Sequence, residues 1–160
     1  MKKLVLMLML LAPMTMMAQK FGKVNTQTIM QALPDVAKAN GELEALQKQK
    51  DNELKAMQDE LNRKLDEYQK GQSTMNATAK QQKETELQGL NQKIQQAYQD
   101  GQQELQKKSN ELMQPIVAKV RAAIDAVGKA GNYTYIFEEG AAIYTGSNVV
   151  DVTKEVQSKI

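Results

Sequence analysis

The feature that most restricts the fold is an apolar repeat of eleven residues. Leu43, Leu54 and Leu65 follow it, as do Leu46, Met57 and Tyr68. Further along, Ile94, Leu105, Ile116 and Val127 keep the same step, joined by Leu87 with Tyr98. Eleven residues make about three turns at about 3.67 per turn, close to the relaxed helix, so the seam holds one face without left-handed supercoiling. The pattern predicts two long helices, nearly straight or slightly right-handed. Between them "GQSTMNATAK" (71–80) interrupts the repeat and offers Ser73, Asn76 and Thr78 as helix N-caps, so the turn is expected there. Helices of about 44 and 50 residues reach roughly 65 to 75 Å at about 1.5 Å per residue, longer than a domain of this size is wide. The expectation is a coiled-coil-like hairpin over 41–114 that protrudes from a smaller body.

The seam is thin. "LNQKIQQAYQDGQQEL" (90–105) carries six glutamines in sixteen residues, and its apolar residues are only Leu90, Ile94, Ala97, Tyr98 and Leu105. About two apolar side chains per three turns, at roughly 1.5–3 kcal/mol each when fully buried, only partly offset backbone ordering of about 1–2 kcal/mol per residue. Such arms are expected to be marginal and able to splay, with Gly101 as a flexing point.

The ends differ from the middle. Residues 1–18 read as a secretory signal peptide: Lys2 and Lys3 precede the apolar run Leu4–Ala12, and the small residue Ala18 follows. The run is shorter than the roughly 20 residues a membrane span requires, and no second candidate follows. Without Lys2 and Lys3 the chain has 19 basic residues against 19 acidic ones, and the segment 41–115 has 11 against 13. No basic excess argues for nucleic acid or for an anionic membrane.

The N-terminal part of the body, 19–40, is expected to supply one strand, "KFGKVN" (20–25), and the start of a helix. The C-terminal part, 115–160, opens with "PIVAKVRAAIDAVGKAG", whose dense apolar face ends at Gly128 and Gly131. Strands are expected at "YTYIFE" (133–138) and "AIYT" (142–145), separated by a short Glu-Gly-Ala turn. Asp151 is then expected to cap a helix with Val152, Val156 and Ile160 on one face. Asn40-Gly41 and Pro115 are the two interruptions within the helical stretches; neither flank of Asn40-Gly41 alternates as a hairpin strand would. A body of about 65 residues is marginal alone, so association is expected to stabilise it.

The sequence contains neither cysteine nor histidine. Disulfides, Cys nucleophiles, zinc sites built on N or S ligands and imidazole triads are therefore excluded. Glu138-Glu139 has no catalytic companion and reads as a solvated turn, and "GKAG" (128–131) lacks the spacing of a phosphate loop. No catalytic, cofactor or metal site is expected.

The chain resembles the Skp/OmpH family of periplasmic chaperones. The resemblance is carried by "KFGKVNTQTIMQALPDVAKA", the polar hairpin, "PIVAKVRAAIDAVGKAGNYTYIF" and the closing "VVDVTKEVQSKI". It implies an α+β, mostly α fold, in which helical tentacles hang from a small β-sheet body that trimerises. It also implies an ATP-independent holdase that receives unfolded outer-membrane proteins in the periplasm. One departure stands out: the best-known members are strongly basic, whereas this chain without its leader is neutral. Binding of lipopolysaccharide and charge-driven client capture are not carried over; peripheral membrane contact stays open.

Tyr68, Met75, Leu87, Leu90, Ile94 and Tyr98 are the candidates for client contact, with packing inside the hairpin as the alternative for the seam residues. Phe21, Val24, Tyr135, Phe137 and Ile143 are the candidates for body and trimer core. The rival to a holdase is a structural coiled-coil scaffold or spacer of the cell envelope, without clients.

Overall fold

A short segment with aromatic and β-branched residues opens the described part of the chain. The computed structural model describes residues 19–160, so the expected signal peptide lies outside the described residues. Strand β1 is Phe21–Val24; helices α1 (Thr26–Ala32), α2 (Pro34–Gly71) and α3 (Ala77–Ala130) follow, then β2 (Tyr135–Glu138), β3 (Val150–Asp151) and α4 (Thr153–Gln157). The fold is mostly helical, with one small three-stranded sheet. The described residues form two compact units, one joining the segment up to Thr26 with Ala122–Ile160, the other being Gln27–Arg121.

In the sheet unit the strand order is β2-β1-β3, and both pairings are parallel. Phe21 faces Tyr135 and Val24 faces Glu138 across one ladder; Gly22 faces Val150 across the other. Parallel neighbours require long crossovers, and the whole helical segment serves as the crossover between β1 and β2. The ladders are extended by Thr134 N–H to Lys20 O (2.7 Å), Glu139 N–H to Val24 O (2.7 Å) and Val152 N–H to Lys23 O (2.9 Å). Helix α4 packs on β1, burying Val152 and Val156 with Val24, while Thr153 Oγ1 accepts the Asn25 N–H at 3.0 Å. The end of α3 closes the unit with Ala123 and Val127 buried.

That helix end is a Schellman arrangement. Tyr133 N–H bonds Gly128 O and Asn132 N–H bonds Lys129 O, with Asn132 in the left-handed region at φ 52°. Asparagine tolerates this conformation better than other side-chain-bearing residues. The stop therefore falls on Asn132, one residue beyond the expected Gly131.

Two expectations about the sheet are corrected. Residues 142–145 form no strand, and the third strand is Val150–Asp151. Both edges of β1 are already taken, and Gly140 at φ 83° turns the chain out of line after β2. β2 and β3 therefore flank β1 rather than pairing through a tight turn. Asp151 lies in β3, one residue ahead of the cap position, and its carboxylate accepts the Thr153 N–H at 2.9 Å.

In the helical unit, Pro34 sits in the first turn of α2, where its missing N–H costs nothing, and Asp35 meets the positive end of the helix. Asn40-Gly41 passes inside α2 without a break. The turn spans 72–76: Thr74 Oγ donates to Gly71 O at 2.9 Å, and Asn76 Oδ1 accepts the Ala79 N–H at 2.9 Å as the N-cap of α3. Of the three expected caps, Asn76 is the one used. Helix α3 then runs for 54 residues with Pro115 inside it.

The two long helices are antiparallel neighbours, as their cross-links record. Asp35 pairs with Lys119, Glu42 with Lys108, Lys50 with Glu104 and Lys64 with Glu86. Position n on α2 thus faces position about 152 − n on α3 along the whole unit, the straight course an eleven-residue repeat requires. Leu61 and Leu87 are buried between the helices' apolar faces; Ala39, Ile116 and Val120 are buried as well, and most other seam residues are half-buried.

Candidate functional site

Two surfaces leave apolar groups in water. The first belongs to the helical unit. Leu54, Lys55 and Gln58 of α2, with Ile94, Gln95, Tyr98 and Gln99 of α3, line an open groove of about 570 Å³. Tyr98 keeps 56% of its surface exposed. A second groove, lined by Leu43, Gln47, Gln102, Leu105, Gln106 and Ser109, lies on the same side nearer Pro34.

The candidate contact residues separate by position. Ile94 and Tyr98 come together in the groove. Leu87 is buried in the hairpin and Leu90 is half-buried. Met75 lies in the turn over Gly71, where an added Cβ would meet the Met75 methyl at 2.8 Å. Tyr68 is half-buried and donates its hydroxyl to the Glu84 carboxylate; that hydrogen bond holds the phenol above its usual 10.0. The groove also needs Leu54, a leucine of the eleven-residue repeat, and the amides of Gln58, Gln95 and Gln99, which sequence reading did not single out. The signal of these amides was angular: each falls beside the apolar seam.

Opposite the groove the hairpin is tied by charge. Lys50 bonds Glu104 at 2.8 Å, and that bond holds the ammonium above its ordinary value. Lys64 pairs with Glu86, which is held below 4.5, chiefly by the hydrogen bond from Lys64 and then by that from Lys83.

The second surface belongs to the sheet unit. Phe21, Tyr135 and Phe137 stack with ring centroids 6.2, 6.4 and 5.7 Å apart. Tyr135 is 59% and Phe137 43% exposed, although both lie in a strand. Val24, on the other face of β1, is buried, and Phe21 is half-buried. Ile143 stands wholly in water at 108%, outside the sheet; Tyr144 and Val150 are also exposed, and neither was anticipated. At the sheet end Lys23 bonds Glu139 at 2.6 Å and lies 3.8 Å from Asp151. Among the described residues no group of acidic side chains is arranged to hold a metal ion.

A paired helical hairpin with one open, amide-rimmed edge, in one chain with a small parallel sheet that exposes an aromatic face, defines a protein that presents surfaces rather than a pocket with converging reactive groups. The particular family follows from comparison. The family described as "Outer membrane protein (OmpH-like)" matches residues 20–160, and the chain belongs to it. The chaperone protein Skp of Pectobacterium atrosepticum is 26% identical over 143 residues, which cover 89% of this chain and 86% of the relative. The chaperone protein Skp of Yersinia enterocolitica is 25% identical over 153 residues, covering 96% and 93%. A crystal structure from Caulobacter crescentus, described as an outer membrane chaperone (OmpH-like), shares the fold with a TM-score of 0.76 at 15% identity, over 88% of this chain and 82% of that one. This is a chain of the Skp/OmpH-like chaperone family.

Proposed function

We propose that this protein is a holdase: an ATP-independent chaperone that binds unfolded outer-membrane β-barrel proteins in the periplasm and keeps them from aggregating before membrane assembly. The observation that carries the reading is the groove at Leu54, Ile94 and Tyr98, apolar at its floor and rimmed by glutamine. An unfolded β-barrel strand alternates apolar and polar side chains and carries unpaired backbone groups, and such a surface suits both. The Skp relatives, named as chaperones, support the same reading.

The working unit is a homotrimer. Phe21, Tyr135 and Phe137 are then covered by neighbouring protomers, and three hairpins act on one client, which is retained by effective concentration rather than by a deep pocket. Delivery to the periplasm follows from cleavage of residues 1–18. No described helix is long and apolar enough to cross a membrane.

The test is light scattering of a urea-denatured porin diluted into buffer with and without the protein. Equimolar trimer is expected to suppress scattering at low and at moderate salt. Unchanged aggregation under both conditions would favour a scaffold without clients and overturn the holdase.

A further inference from the structure

The two long edges of the hairpin have different chemistry. At about 100° per residue, Asp35, Glu42 and Lys64 fall within about 40° of one another on α2, to one side of the buried line through Ala39 and Leu61, while Lys50 falls on that line and reaches Glu104 from it. These four residues carry the ion pairs to α3. Gln47 and Gln58 fall to the other side of that line and line the two grooves with Gln95, Gln99 and Gln102 of α3. Charge has been sorted to one edge and amide to the other.

Three observations say what the amide edge would hold. Among the glutamines of the two grooves, the carboxamides of Gln95, Gln99 and Gln102 have no hydrogen-bond partner among the described residues, whereas Gln47, Gln58 and Gln106 bond Asp51, Asn62 and Asn110 on their own helices. Each free carboxamide offers both donors and an acceptor, as a peptide group does. The charges lining the two grooves are one lysine and one glutamate, Lys55 and Glu44, and Lys55 is engaged by Asp59 at 2.7 Å. Finally, the grooves follow α2 from Leu43 to Gln58. That is about 22 Å at about 1.5 Å per residue, the length of an extended segment of about seven residues at about 3.3 Å each.

We propose that the glutamine edge holds an extended strand of unfolded polypeptide, its carboxamides pairing with the strand's backbone groups while Leu54, Ile94 and Tyr98 take up apolar side chains. The proposal rests on the holdase reading and names the surface and the chemistry by which it acts. Backbone recognition is indifferent to client sequence and charge. A neutral arm thereby grips through amides, and its affinity is insensitive to salt.

The test compares two triple variants of the full chain, Q95A/Q99A/Q102A on the edge and Q92A/Q96A/Q103A on the outward face of the same helix. Alanine favours helix, so circular dichroism is expected to show both folded. Binding of a fluorescently labelled, urea-denatured porin is expected to weaken about tenfold for the edge variant and to stay within about twofold of wild type for the control. Wild-type affinity is expected to change less than about twofold between low and high salt, since exposed charges would be screened there. A photoreactive residue at position 99 is expected to cross-link to porin, and one at 103 to leave it unlinked. Wild-type binding with the edge and control variants indistinguishable would overturn this proposal and leave the holdase standing; absence of wild-type binding would remove the holdase itself. A steep loss of affinity with salt would assign capture to charge, and cross-links from position 99 to a second copy of the chain without porin would make the edge a protomer interface; either outcome overturns the proposal.

Discussion

Lys23 shows how single residues steady the sheet. Its ammonium lies between the Glu139 and Asp151 carboxylates, and Asn25 donates to the second Glu139 oxygen at 2.8 Å. Glu139 is held below its usual 4.5, first by the hydrogen bond from Lys23; Asp151 is held below 3.8, first by the hydrogen bond from Thr153. Carboxylates lowered on folding contribute stability that is present above their unfolded values and lost as pH falls through the folded ones. Lys23, raised above 10.5 chiefly by Glu139, contributes stability that is lost only as pH rises through its folded value. The thermal midpoint of the sheet unit is therefore expected to be flat through neutrality and to drop below pH 4.5. Tyrosine near-ultraviolet dichroism would follow it, and Glu139→Gln should shrink the acid drop. Gly131 is a second constrained residue, because an added Cβ would run into the Tyr133 ring, whose face carries the Lys20 ammonium 4.1 Å from its centroid. Gly131→Ala is expected to destabilise this unit by about 1–3 kcal/mol in urea unfolding, and less in a Tyr133→Ala background.

At the scale of the element, a thin seam concentrates stability in few places. Leu61 and Leu87 are buried between α2 and α3, whereas Leu65, four residues along α2 from Leu61, keeps 40% of its surface exposed. Leu61→Ala is expected to cost about 2–5 kcal/mol and to raise amide hydrogen exchange through the middle of both helices. Leu65→Ala should stay within about 0.5 kcal/mol, and equal losses at the two sites would contradict the seam. The hairpin was legible because an eleven-residue repeat and a cap-rich break survive any detail of packing. The sheet was legible only in part: Tyr135 and Phe137 announce β2, but a two-residue strand such as Val150–Asp151 has no period to detect, and the aromatic and branched content of Ala142–Thr145 pointed to a strand with no partner edge on β1. Within the candidate contact set, Leu87 and Tyr98 hold the same place in the eleven-residue repeat, yet Leu87 is buried and Tyr98 is 56% exposed. The difference depends on what α2 sets opposite each, through a register recorded by ion pairs between residues 22 to 84 apart along the chain, beyond the reach of local patterning.

At the scale of the molecule, the sheet's aromatic face bears on assembly. β2 and β3 are both edge strands, and an exposed edge beside stacked, solvent-facing Phe21, Tyr135 and Phe137 invites pairing unless a neighbour covers it. The homotrimer proposed above supplies that neighbour, and its thermal midpoint should then rise with protein concentration, because association stabilises only the folded chain. Sedimentation equilibrium is expected to give the mass of three protomers. Replacing Tyr135 and Phe137 together by serine should shift it to one, since both side chains point to water in the single chain and their loss costs the isolated unit little. If avidity among three hairpins sustains the holdase, this dissociated variant should bind a denatured porin more weakly by at least about a hundredfold while its Gln95, Gln99 and Gln102 edge is intact. A wild-type chain that sediments as a monomer would sink the trimer and leave one amide edge to account for all client retention.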